Sequence, residues 1–169
     1  NNRERDVTSK RALTRNAIRI TVFLGACVFA VLVNYHIVAR LAGNWANRDF
    51  MTFWLGGRAV AMGLDPYDPQ VWPDLRVHYG SQWIPNLSCP YPLWTLVAFV
   101  PLSLLPLPIA AAIWMTVSEF AILLSVTLML RICDRSARWQ VLAPALIGSF
   151  LYRPFISSLL HGQVAPMLV

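Results

Sequence analysis

The feature that most limits this chain is the apolar run from Ala17 to Ala39, in which only Arg19, Asn34 and His36 are strongly polar. As a helix it would be about 34 Å long, enough to cross a bilayer with some tilt. Arg3, Arg5, Lys10, Arg11, Arg15 and Arg19 crowd its N-terminal side, while Arg131, Arg135 and Arg138 follow a later apolar run. Such clusters mark cytoplasmic flanks by the positive-inside rule. Because the cations gather at helix ends rather than over one broad face, they argue against a nucleic-acid partner. A content of 57% hydrophobic against 13% charged residues is too apolar for a soluble domain of this length and places the whole chain among membrane proteins.

The pattern predicts an all-α, polytopic membrane protein. Residues 1–17 form a cytoplasmic basic tail, 18–39 a first transmembrane helix kept as a signal anchor, and 40–90 a long exterior loop. The apolar stretch at 91–107, closed by Pro106 and Pro108, is short for a crossing and reads as a re-entrant or short transmembrane helix. Residues 109–130 cross inward, 131–138 make a cytoplasmic basic loop, and 139–157 cross outward. An exterior turn and the start of a further transmembrane helix fill 158–169. The chain has no initiating Met and stops within an apolar run at Val169, so it is expected to be the N-terminal portion of a longer protein.

Within the exterior loop, NRDFMTFWLGGRAVAMGLDPYDP from Asn47 to Pro69 predicts one amphipathic helix over 48–62. Gly63 supplies a left-handed stop, and Asp65-Pro66 and Asp68-Pro69 supply turns. A second short helix is expected from Asp68 or Asp74 to Gly80. Trp45, Trp54, Trp72, Trp83, Tyr67 and Tyr79 give the loop the aromatic content of helices lying in the membrane interface. Asp49, at the start of the first helix, has two readings: a helix cap worth about 1 kcal/mol, or a functional acid.

Glu119 stands in mid-span, where an ionised acid costs on the order of 3 kcal/mol. An interhelical hydrogen bond through a neutral carboxyl is the expected role, with a proton relay as the alternative. Cys27, Cys89 and Cys133 fall at different depths, so no disulfide is expected, and no ligand spacing suggests a metal. Asn86-Leu87-Ser88 has the form of a glycosylation sequon, a triplet common by chance.

The ordered motifs RDFMTFW, GRAVAMGLDPYDP, YPLWTLVAFVPLSLLP, Trp114 and HGQVAPMLV make the stretch from Trp45 to Val169 resemble the bacterial polyprenol-phosphate-mannose-dependent alpha-mannosyltransferases of glycosyltransferase family 87. That resemblance implies a GT-C-like helix bundle with interfacial helices in the first exterior loop. It also implies a polyprenyl-phosphate sugar donor, a glycan or glycolipid acceptor, a site on the exterior face of a bacterial plasma membrane, and neither metal nor cofactor. Asp49 occupies the place of the general base. Arg58, Arg153 and His161 are the candidates for the lipid phosphate, and Trp54, Tyr91 and Gln163 for the sugar pocket. Gln163 precedes Val164-Ala165-Pro166 where the family commonly has Val-Asn, which removes a polar side chain. The competing reading is a non-catalytic membrane module, such as a scaffold or transporter fragment, in which Asp49 only caps its helix.

Overall fold

A computed structural model describes residues 2–40, 49–80, 88–132 and 139–151, and among these every regular element is a helix. They are α1 (Asn2–Arg40), α2 (Asp49–Ala61), α3 (Val71–His78), α4 (Leu93–Ser103), α5 (Leu107–Ile132) and α6 (Trp139–Leu151). Two are long and apolar enough to cross a membrane, Leu13–Arg40 of α1 and Leu107–Ile132. The protein is thus an all-α membrane protein, as the apolar runs predict. The helix of α1 also continues backwards through the basic tail.

α1 and α5 pack side by side. Moving along α1 from Phe23 to Asn34 shifts the contact on α5 from Phe120 back to Thr116, so the two run in opposite senses. Asn34 is buried and its Nδ2 donates to Thr116 Oγ1 at 3.0 Å and to Glu119 Oε2 at 3.1 Å. This is the interhelical hydrogen bond expected of Glu119. Elsewhere α1 presents Val22, Leu24, Val28, Phe29 and Leu32 to its surroundings, a surface that lipid solvates and water would not.

α4 has 11 residues, about 16 Å of helix, too short to cross the roughly 30 Å hydrocarbon core unaided. Pro106 lacks the N–H that would carry the helix on, and the chain turns sharply there. The rings of Phe99 and Trp114 therefore meet at 4.7 Å, although one continuous helix would hold them about 22 Å apart. α5 begins two residues before the expected span and ends two after it. α6 packs on α5 and carries Pro144; the remainder of the expected crossing to residue 157 lies outside the described residues.

α2 packs most extensively on α4. The expected helix has one apolar stripe, yet Phe50 through Gly57 and Ala59 are all buried. Gly56 and Gly57 are the reason, because they turn what would be a polar side into a groove. A Cβ on Gly56 would lie 2.5 Å from Leu96 Cδ2, and one on Gly57 would lie 2.9 Å from the carbonyl carbon of Phe99. Helix α2 ends as predicted: Gly63 has φ +71°, its N–H donates to Val60 O at 3.0 Å, and Leu64 N donates to Ala59 O at 2.9 Å. That pair of bonds is the Schellman arrangement. Asp65 and Asp68 then serve the turns, their Oδ1 atoms accepting from Tyr67 N at 2.9 Å and Gln70 N at 2.7 Å. Pro73 fits α3 because it falls in the first turn, where no helical N–H bond is lost.

Gly57→Ala should destabilise the protein by about 1–3 kcal/mol, since its methyl meets backbone that cannot swing aside. Gly25→Ala, with nothing within 4 Å, should leave stability unchanged or raise it by up to about 1 kcal/mol. Thermal unfolding in detergent compares the two. By the same assay, Asn34→Leu should cost about 1 kcal/mol while Glu119→Gln, which keeps an acceptor for Asn34, should cost less.

Candidate active site

Helix α2 carries two groups of sequence-predicted residues. At its N-terminal end Asp49 is half-buried in the first turn, where the helix dipole favours a carboxylate. One turn further on, the Phe53 ring stacks on Tyr91 with centroids 4.0 Å apart and an interplanar angle of 25°. Tyr91 precedes α4 and is held by the Asp-Pro turns: the Tyr67 hydroxyl donates to its carbonyl at 2.7 Å, and Cys89 N donates to Pro66 O at 2.9 Å.

Charge links these residues. Burial pushes the Tyr91 phenol up from its ordinary value, and the Asp49 carboxylate and then Cys89 push it further. The Cys89 thiol is raised by burial, against the opposing effects of the Tyr91 N–H and of Arg76. Arg76 is itself buried, which lowers its pKa, although Cys89 works in the other direction. Its NH1 donates to Thr52 Oγ1 at 3.4 Å, one turn from Asp49, and its guanidinium lies 5.8 Å from the Trp72 ring centre.

Trp54 and Arg58 make a separate group near the C-terminal end. Arg58 Nε donates to the Tyr79 hydroxyl at 2.9 Å and NH1 donates to Ser103 O at 2.7 Å. Its guanidinium lies 5.3 Å from the Trp54 ring and 5.5 Å from the Tyr79 ring, while Trp54 Nε1 donates to Leu105 O at 3.0 Å. Nine positions separate Asp49 from Arg58 on the helix, which is about 13 Å of rise and a rotation of about 180°. Asp49 and Tyr91 therefore share one neighbourhood, and Trp54 and Arg58 share another on the opposite face. Arg153, His161 and Gln163 lie outside the described residues.

The sequence pattern does not single out Arg76, Tyr79 or Phe53 as site residues. For Arg76 a signal exists: Trp72 stands four positions earlier, the spacing that lays a guanidinium over a ring on one helix face. For Tyr79 there is none, since its partner Arg58 is distant in sequence. Among the described residues no cluster of three metal-ligating side chains forms.

Residues 90–169 match the model of glycosyltransferase family 87. The family 87 match takes in Tyr91, α4, α5 and α6, a little under half of the chain, and it supports a membrane glycosyltransferase with sugar donor and acceptor substrates. Helix α2, with Asp49, Trp54 and Arg58, precedes it, so the RDFMTFW and GRAVAMGLDPYDP motifs fall outside the matched residues. No curated protein and no solved structure matches the chain.

The raised thiol and phenol have a definite consequence for pH. Both favour the neutral form in the fold, so their contribution to stability is complete below their ordinary values of 9.0 and 10.0 and is lost as pH rises through the higher folded values. The melting temperature should accordingly fall from about pH 9 upward. In a protein with Cys27 and Cys133 replaced by Ser, N-ethylmaleimide should label buried Cys89 slowly at pH 8 and promptly after denaturation, as read by mass spectrometry.

Proposed function

We propose that the chain transfers a hexose, with mannose as the sugar of choice, from a polyprenyl-phosphate donor to a glycan or glycolipid acceptor, with Asp49 as general base and inversion at the anomeric carbon. The observation that carries this reading is the stacking of Phe53, one turn from Asp49, on Tyr91, which joins the acid-bearing end of α2 to the first residues of the family 87 match. Asp49 accepts the proton of the acceptor hydroxyl as that oxygen bonds to the anomeric carbon. The bond from that carbon to the phosphate oxygen breaks at the same time, and the lipid phosphate leaves with the electron pair. The partly exposed ring of Tyr91, backed by buried Phe53, offers an apolar platform beside the acid for a sugar face.

The leaving phosphate gains charge during transfer and needs a cation or N–H donors. Arg58 points away from Asp49, so that task falls to Arg153, His161 or Arg76. For membrane orientation, the opposed senses of α1 and α5 bring Arg15 and Arg19 to the same end as Arg131. That end is assigned to the cytoplasm and the Asp49 end to the exterior of a bacterial plasma membrane.

Membranes containing the full-length protein are given radiolabelled polyprenyl-phosphate-mannose, and wild type is compared with Asp49→Asn at matched expression. Transfer should drop by about a hundred- to ten-thousand-fold in the variant, the usual range for a lost general base. Equal transfer by both proteins would remove Asp49 from the reaction. Activity with another polyprenyl-phosphate hexose, in place of the mannose donor, would correct the sugar alone.

A further inference from the structure

Three features of the Arg58 neighbourhood are unused by the reaction at Asp49. The first is a cavity of about 310 Å³, lined by Trp54, Arg58, Tyr79, Leu104, Pro106 and Leu107. The second is hydrogen-bonding capacity. A guanidinium has five N–H donors, and Arg58 commits one to Tyr79 and one to Ser103 O, with the Trp54 and Tyr79 ring centres 5.3 and 5.5 Å from its carbon. Among the described residues no carboxylate pairs with it, so the positive charge at the cavity wall is offset only by a phenol and a peptide carbonyl.

The third feature is position. Leu107 opens the α5 span, so the cavity lies at one end of a helix whose 26 residues, about 39 Å, are enough to cross the roughly 30 Å hydrocarbon core. Leu104 forms the rim and is 68% exposed. A cation with spare donors therefore faces an open cavity at the end of the α5 span, with leucines at 104 and 107 beside it for an acyl chain to follow.

We propose that this cavity binds the phosphate of an anionic membrane phospholipid, at a site separate from Asp49. The separation follows from α2 itself, whose opposite faces carry the two groups about 13 Å apart along the axis. A phosphate leaving the anomeric carbon during proton transfer to Asp49 cannot reach Arg58 through the buried body of the helix. The site stands whether or not Asp49 is the base. It fixes the lateral setting of the α2–α4 layer against lipid, because the same guanidinium holds the carbonyl of Ser103, the last residue of α4.

Native mass spectrometry of the full-length protein in detergent tests this with phosphatidylglycerol and phosphatidylcholine as probes. Wild type should retain phosphatidylglycerol in preference to phosphatidylcholine. Arg58→Gln should weaken that preference about fivefold, the factor one cation is worth at an anionic surface. Arg58→Gln removes two hydrogen bonds, so Leu104→Glu serves as a second variant: this exposed residue stands outside the core cluster, and its carboxylate should repel the anionic lipid equally well. An unchanged preference in Leu104→Glu, or in an Arg58→Gln protein that melts like wild type, overturns the proposal. Displacement of the lipid by soluble glycerol phosphate at equal concentration would make the site one for free phosphate and also overturn it. Displacement by polyprenyl phosphate with no retention of phosphatidylglycerol would do so in favour of the donor lipid.

Discussion

Helices α2 and α4 come together at Gly56, which the Leu96 side chain fills, and at Gly57, which meets the Phe99 backbone, and the remainder of the layer is set by that approach. Side chains of ordinary size at these positions would hold two helices 8–10 Å apart. Without them, Leu96 and Phe99 sink onto α2, and Phe99 is brought within reach of Phe50, Phe53 and Trp114 at once. The aromatic cluster ties α2 to α5 through Phe50 and Trp114. It ties α2 to the segment before α4 through Phe53 and Tyr91, which is what sets Tyr91 beside Asp49. The candidate site is thus a by-product of where two hydrogens replace two methyl groups.

Features that depend on a few neighbouring residues are legible in the amino-acid sequence alone. The two spans, the stop at Gly63, the Asp65 and Asp68 turns and the shortness of the 91–107 segment each follow from local rules of length, backbone freedom or turn chemistry. Glu119 is legible in kind, because a buried carboxyl in hydrocarbon must find a partner; that the partner is Asn34 is not, since the two are 85 positions apart. The enclosure of α2 escapes the sequence for a related reason. Periodicity reports the stripe of large apolar side chains, whereas Gly56 and Gly57 contribute nothing to such a pattern and matter only once α4 lies on them.

The site residues divide in the same way. Asp49 and Tyr91 stand out separately in the sequence, and the fold puts them in one neighbourhood; Arg58 and Trp54 form a second group across the helix. Residue type and order suggest a single site, but the rotation of an α-helix over nine positions decides otherwise. Arg76 is hard to recognise because a charge in a loop of zero net charge reads as solvated, and only the fold shows it buried against Trp72 and Thr52.

The Asn34 amide has a consequence for how the protein is made. While α1 sits alone in hydrocarbon, that amide has no partner, and neither has the Glu119 carboxyl of a newly arrived α5. Each helix is the other's only relief among the described residues, so the first span remains a poorly solvated lodger until the second is threaded. Synthesis of everything between them, some seventy residues, must finish before either is at rest. The bond that later fixes the rotational setting of the two helices begins as a reason for them to wait for one another.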